Sequence, residues 1–430
     1  MGTGLFASST SILLLYYLTD VLGVAAAVAG LVLFLPKAWD VLFDPLVGMA
    51  SDRCTSRWGR RQPFLVAGAV LAALAFLALF HAPLPASPEG RALVVGLLFF
   101  LGMSGYAIFA VPYAAMPAEM SQDPHARTGI LSWRMAGVLV GTLVGAVAAP
   151  LLVSAGGGGR EGHRLMGLVL ALLIGASMLI TALLAHRLPR SQPQPPAGPA
   201  APLRLAAELR QALANRAYRV LLAGYVLVLV GNGAMAAAAP YFVVQVLQQG
   251  PDGLGMVFAS LLLAAIAAMP LWAAAARRLG KAPMAVAAAV LFALALAALV
   301  HVDAATPHLV LMGCCALAGV GFAGSQLLPF SLLTDLIEDD TRRTGQRREA
   351  SLTGLFIAGE KAGLAAGPMV TAGVLSLTGF VASTDGAAVQ SPQAVAGIAW
   401  AFSLVPAAFI AMGAATLGWL ARALPGRAKA

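Results

Sequence analysis

Residues 28–64 read VAGLVLFLPKAWDVLFDPLVGMASDRCTSRWGRRQPF. The apolar part, 28–51, is long enough to cross a bilayer, for which a helix needs about 20 residues. Inside it stand Lys37, Asp40 and Asp44, and directly after it come Asp52, Arg53, Arg57, Arg60 and Arg61. An apolar helix that empties into a loop of arginines reads as a span leaving the membrane on its cytoplasmic side. Charges within a span are costly, so Lys37, Asp40 and Asp44 call for a function or a partner.

The rest of the chain has the same character. Of 430 residues, 60% are apolar and only 10% charged, and the mean hydropathy is +0.85. Soluble domains carry about 25% charged residues, so this chain must be solvated largely by lipid. Apolar runs predict twelve spans, at about 3–22, 28–51, 62–82, 91–118, 128–154, 164–186, 217–247, 254–275, 282–301, 306–338, 350–379 and 394–421. Of the 27 basic residues, the loops opposite the N-terminus hold only Arg91, Arg160 and Arg164, and Lys37, Arg134 and Lys361 fall inside spans. The remainder lie on the N-terminal side, which predicts an inner membrane protein with both termini cytoplasmic. The net charge of +9 is therefore an orientation signal and not a nucleic-acid surface. The first apolar run has no basic region before it, which predicts a retained first span and not a cleaved signal peptide.

One long connection, 188–216, separates six spans from six. Pro189, Pro193, Pro195, Pro196, Pro199 and Pro202 forbid regular helix in its first part. Leu205, Leu209 and Leu213 then recur at helical spacing, as in a short helix on the membrane surface, or in a mere linker. The organisation expected is a half over 1–187, a linker over 188–216 and a half over 217–430. The halves echo each other: Gly48, Asp52, Arg53, Gly59, Arg60 and Arg61 follow span 2, and Arg277, Arg278, Gly280 and Lys281 follow span 8. The fold class is thus all-α, with twelve transmembrane helices in two pseudo-symmetric six-helix halves, an arrangement common among transporters that bind solute between the halves.

Spacings of three and four put Lys37, Asp40 and Asp44 on one helix face. Two carboxylates there make a cation site that Lys37 holds when empty, or the three form an internal salt bridge. Pro45 has no amide hydrogen, so the Val41 carbonyl loses its helical partner and becomes a further oxygen ligand in the first reading. Arg134 in span 5 and Glu360 with Lys361 in span 11 are the other intramembrane charges considered. They line a solute cavity, or Arg134 pairs with a span-2 aspartate and Lys361 with Glu360. Asn232, Gln245 and Gln326 are polar enough to join that lining, or to make ordinary hydrogen bonds between helices. Asp52, near Arg53, Arg57 and Arg60, and Glu119 with Arg127 around the next inner loop, form a candidate cytoplasmic gate.

Other patterns carry no chemistry. Gly319, Gly321 and Gly324 spell GxGxxG without a preceding strand, which points to helix packing and not to a dinucleotide. Gly137, Gly141 and Gly145 form a similar ridge. Cys54, Cys314 and Cys315 offer neither a disulfide framework nor metal spacing, and the six histidines form no cluster. With no nucleophile motif or phosphate loop, no enzyme is expected, and no cofactor or metal beyond a coupling ion.

The stretch GMASDRCTSRWGRR, Gly48 to Arg61, resembles the inner-loop signature of the major facilitator superfamily. Trp39-Asp40, Asp44-Pro45, Arg57-Trp58-Gly59-Arg60 and Pro63-Phe64 resemble more closely the glycoside–pentoside–hexuronide:cation symporters, the melibiose permease family. Val111-Pro112-Tyr113, Glu119, Asp123, Arg127-Thr128 and Arg134-Met135 form a second block. A third runs from Pro329 through Asp335, Asp340, Thr344-Gly345 and Arg347-Arg348-Glu349 to Lys361 and Gly363. The resemblance implies a cation site at Asp40 and Asp44, solute-facing groups at Arg134 and Lys361, and a gate at Asp52, Arg53 and the inner-loop arginines. It also marks departures. The family's sugar-gripping acids fall at Leu5 and Ala110, its aromatic platform at Ala114, and the asparagine between its paired aspartates at Phe43. The family also resembles animal sodium-dependent lysolipid carriers, which keep the paired aspartates without that sugar grip.

The expectation is a monomeric secondary active transporter working by alternating access, with symport of a small organic solute and Na⁺ or H⁺. Cation-site residues are Asp40 and Asp44. Solute-site residues are Arg134, Lys361, Glu360, Lys37, Tyr113 and Asn232. A solute with an acidic group or partly apolar body fits the two cationic side chains. The alternatives are a lysolipid or amphiphile carrier, and a non-transporting membrane scaffold on the same fold.

Overall fold

The computed structural model describes residues 1–120, 124–185, 213–344, 349–384, 386 and 388–423, and among them there is no strand. The first six helices are α1 (Gly2–Tyr16), α2 (Ala26–Arg53), α3 (Gln62–His81), α4 (Pro88–Met120), α5 (Pro124–Ala155) and α6 (Gly159–Ala185). Then follow α7 (Arg216–Tyr241), α8 (Pro251–Leu279), α9 (Lys281–Ala298), α10 (His308–Thr344), α11 (Glu349–Leu377), and α12 (Pro392–Phe402) with α13 (Leu404–Ala423), which form one span broken at Ser403. Eleven spans among the described residues are long and apolar enough to cross a membrane. Helix α11 is the remaining one of the twelve expected, and it carries Glu360 and Lys361 mid-length. The surface helix expected near 205–213 lies almost wholly outside the described residues.

Two compact units result. One comprises Met1–Pro199 with Gly250–Gly255 and Val381–Val389, and the other Ala200–Gln249, Met256–Phe380 and Gln390–Ala430. In the first, α3 packs along α4 and α6, α1 against α5, and α2 against α4. Phe6 of α1 reaches Phe76 at 5.7 Å and Tyr106 at 5.4 Å, ring centre to ring centre. Outward leucines such as Leu42, Leu93 and Leu172 are exposed, the arrangement expected where the solvent is lipid. In the second unit, α7 packs against α11 and α13, and α9 against α10 and α13. Tyr225 of α7 stacks on Phe356 of α11 at 4.7 Å with an interplanar angle of 2°.

The units repeat a feature that no residue motif announces. Helix α1 passes into a π turn at Tyr17–Val21, and α7 into one at Phe242–Val246. In the first, Leu22 and Val24 donate N–H to the carbonyls of Tyr17 and Leu18; in the second, Leu247 and Gln249 donate to those of Phe242 and Val243. Gly23 (φ 67°) and Gln248 (φ 53°) make the same left-handed turn before the next span. The sequences differ, yet the backbone bonding is the same twice, as expected of duplicated halves.

Small residues set the helix spacing. A methyl on Gly105 would stand 2.6 Å from the Ala72 nitrogen, and one on Gly321 2.5 Å from the Phe292 nitrogen, so at both places backbone meets backbone. The GxGxxG run is therefore a packing surface: Gly319 meets the Leu261 carbonyl and Gly324 the Trp272 ring. Gly141 and Gly145 likewise receive the first residues of α1. Gly321→Ala is expected to destabilise the fold by about 1–3 kcal/mol through overpacking. Gly313→Ala, whose methyl meets nothing within 4 Å, should be neutral or slightly stabilising. Thermal unfolding of the detergent-solubilised protein compares the two.

Candidate functional site

Helix α2 contains two prolines, Pro36 and Pro45, bracketing the charged residues. Each removes one backbone donor, which frees the carbonyls of Val32 and Val41. Between them Trp39 stacks on Phe43, one turn on, at 5.3 Å, and packs on Phe100 of α4 at 5.3 Å. This aromatic contact fixes the rotation of α2 and so the direction of its other face. Phe43, which replaces a polar residue expected from the family resemblance, is thus used in packing. Asp40 is 3% exposed and Asp44 half-buried. The Lys37 ammonium donates to the Ser11 hydroxyl of α1 at 3.2 Å. Ser8, Ser9 and Thr10 of α1 turn their hydroxyls back on the carbonyls of Gly4, Leu5 and Phe6, so their polarity is spent within the helix.

Arg134 of α5 lies over the ring of Tyr113 of α4, its guanidinium carbon 5.0 Å from the ring centre. A guanidinium held face-on by an aromatic keeps its edge N–H groups for another acceptor, and its Nε is buried without a hydrogen bond among the described residues. The structure therefore brings Tyr113 and Arg134 together. In the second unit Asn232, Glu360 and Lys361 are half-buried on α7 and α11. Nearby on α7, the Tyr225 hydroxyl donates to the Gln326 side chain at 3.3 Å.

The loop between α2 and α3 is folded by short-range bonds. The Trp58 N–H donates to the Ser56 hydroxyl at 3.2 Å and the Gly59 N–H to the Ser56 carbonyl at 2.9 Å. Gly59 has φ 106°, a conformation that favours glycine. This turn returns Arg61 to the end of α2, where it pairs with Asp52 at 2.6 Å and also donates to Ser51. The partner of Asp52 is thus Arg61, one of the inner-loop arginines, while Arg53 and Arg57 are exposed. The side chains of Glu119 and Arg127 lie outside the described residues. The second unit repeats the device: Gly280 (φ 93°) precedes Lys281, which pairs with Asp335 of α10 at 2.6 Å.

Sequence reasoning missed Ser11 and, above all, Asp20. Asp20 lies within the first predicted span and is 1% exposed, so the cost of an intramembrane charge was the signal that would have found it.

A family model described as MFS/sugar transport protein matches residues 1–420. The chain belongs to that family. A protein of Escherichia coli named as a glycoside/cation symporter, YagG, is 26% identical over 94% of this chain and 85% of its own length. A glucuronide carrier protein homolog of the same species is 26% identical over 94% of this chain and 86% of its own. Among solved structures, a bacterial homologue of the human lysosomal transporter Spinster superposes with a TM-score of 0.72 at 15% identity, covering 98% of this chain and 94% of that one. The fold is the major facilitator fold. The protein is a multi-pass membrane protein and a secondary active transporter, not an enzyme, and its reaction involves a solute and a coupling cation.

The Asp52–Arg61 pair generates a prediction. Arg61 is the more buried partner, so Asp52→Ala is expected to cost more than the 0–1 kcal/mol or so of an exposed pair. Uptake should fall in Asp52→Arg and in Arg61→Asp, and recover in the double exchange. Recovery absent in the double variant would remove the pair from the transport cycle.

Proposed function

We propose that this protein is an inner membrane symporter that couples entry of an acidic glycoside or similar anionic solute to Na⁺ or H⁺, with both termini cytoplasmic and the monomer as the working unit. The observation that carries the proposal is the charged face of α2. Lys37, Asp40 and Asp44 share it, and Lys37 is oriented by Ser11. Lys37 places one ammonium beside two carboxylates, a set of groups suited to hold and to exchange a monovalent cation. The carboxylate oxygens and the carbonyl freed by Pro45 are hard donors of the kind Na⁺ takes. Arg134, braced by Tyr113, offers a planar fork to a carboxylate. Lys361, with Glu360 beside it, supplies a cationic group in the second unit. Support for an acidic solute comes from the full-length relative named for a glucuronide, whose carboxylate suits these groups. Leu5 and Ala110, where a neutral sugar would need carboxylates to grip its hydroxyls, argue the same way, since each buried hydroxyl left unpaired costs about 1–3 kcal/mol.

Uptake into proteoliposomes, with Na⁺ and pH gradients imposed separately and a glucuronide compared with a neutral disaccharide, tests the reading. Asp40→Asn and Asp44→Asn should abolish cation-stimulated uptake without lowering protein level. Arg134→Ala and Lys361→Ala should abolish binding of the acidic solute. Saturable uptake of the neutral sugar, insensitive to all four substitutions, would overturn it.

A further inference from the structure

The far end of α1 is tied down by a segment distant in sequence. Thr19 and Asp20 sit in the π turn Tyr17–Val21, 0% and 1% exposed. The carbonyls of Tyr17 and Leu18 accept bonds from Leu22 and Val24, and those of Thr19 and Asp20 stand next at the helix end. Both are filled from elsewhere: Ser383 N–H donates to the Thr19 carbonyl at 3.0 Å, and Gly386 N–H to the Asp20 carbonyl at 2.8 Å. The side chains reinforce the turn, since the Thr19 hydroxyl donates to Asp20 Oδ2 at 2.8 Å. Asp20 Oδ1 is buried without a donor among the described residues.

The surroundings are shaped for this contact. Gly23 leaves the turn at φ 67°, and a Cβ there would stand 3.5 Å from the Ser383 carbonyl and the Thr384 hydroxyl. Arg91, at the start of α4, donates to the Leu22 carbonyl at 2.8 Å and holds the turn from the other direction. The apolar side chains of the segment are not what holds it: Val381 is 54% and Val389 95% exposed. Val381–Val389 belongs to the first compact unit, whereas the helices that carry it in the chain, α11 and α12, belong to the second.

We propose that Ser383 and Gly386 form a releasable strap, which caps the extracytoplasmic end of α1 and must let go during each transport cycle. Backbone hydrogen bonds such as these two suit this role, being strong enough to bias an equilibrium and weak enough to break. Its side of the membrane and its place in the cycle rest on the symport reading above; the docking does not, and is measured without solute.

The test uses full-length protein with Cys54, Cys314 and Cys315 replaced by serine and Thr19→Cys as the only thiol. Whole cells are treated with a membrane-impermeant maleimide. Ser383→Pro removes the N–H that reaches Thr19, and Ala388→Pro is the control within the same segment. Loss of one hydrogen bond corresponds to roughly a 2- to 12-fold shift in the open fraction. Labelling is expected to accelerate by that factor with Ser383→Pro and to stay at the parent rate with Ala388→Pro. Equal rates in all three, or labelling seen only in inside-out vesicles, would overturn the proposal. Amide hydrogen exchange on the unsubstituted protein provides the second measurement: Ser383 and Gly386 should exchange more slowly than Ala388, and exchange as fast as Ala388 would also overturn it.

Discussion

A carboxylate buried in a membrane-spanning helix has to be balanced from within the protein, because lipid supplies neither water nor counterion. Asp40 imposes that requirement on the first unit. Lys37 meets part of it from the same helix face, and is itself aimed by Ser11 of α1. The aromatic contact of Trp39 with Phe43 and Phe100 then decides which way that face points. Moving any of these elements would turn a balanced cluster into an isolated charge, so the packing of α1, α2 and α4 is tied to the chemistry of three side chains.

The same absence of water governs the backbone. Every N–H and C=O in the hydrocarbon must find a partner in protein, and among the described residues some departures from plain α-helix occur in both units. The π turns ending α1 and α7 recur with the same bonding, and Gly59 and Gly280 recur beside the ion pairs Asp52–Arg61 and Lys281–Asp335. These are the places where a duplicated chain keeps its geometry while the residues diverge.

Much of the architecture was legible because lipid makes hydropathy decisive: the twelve apolar runs match the observed helices to within a few residues. The charged face of α2 was legible for the same reason, since charge is conspicuous in an apolar run. Pairings across loops were not. Arg61 and Arg60 are neighbours of like type, and only the turn at Ser56 and Gly59 selects Arg61 for Asp52. Ser11 is one of a run of hydroxyl residues, Ser8 to Ser11, and nothing in their order marks the one that receives Lys37. Asp20 was legible as a charge within the first apolar run, but the π turn that buries it and the bond from Gly386 to its carbonyl were not.

Charge arithmetic also bears on coupling. In the proposed site of the first unit, Lys37 and Arg134 contribute two positive charges and Asp40 and Asp44 two negative ones, so the empty site is neutral. A cation alone, or an anionic solute alone, leaves one uncompensated charge in a region of low dielectric, which is costly. The two together restore neutrality. Each ligand therefore raises the affinity for the other, and the effect is reciprocal by thermodynamic linkage. A neutral sugar gains no such advantage from the cation. On this account, the charges that the helices bury couple the binding of an anion to that of a monovalent cation, and alternation of the gates turns that coupled binding into co-transport.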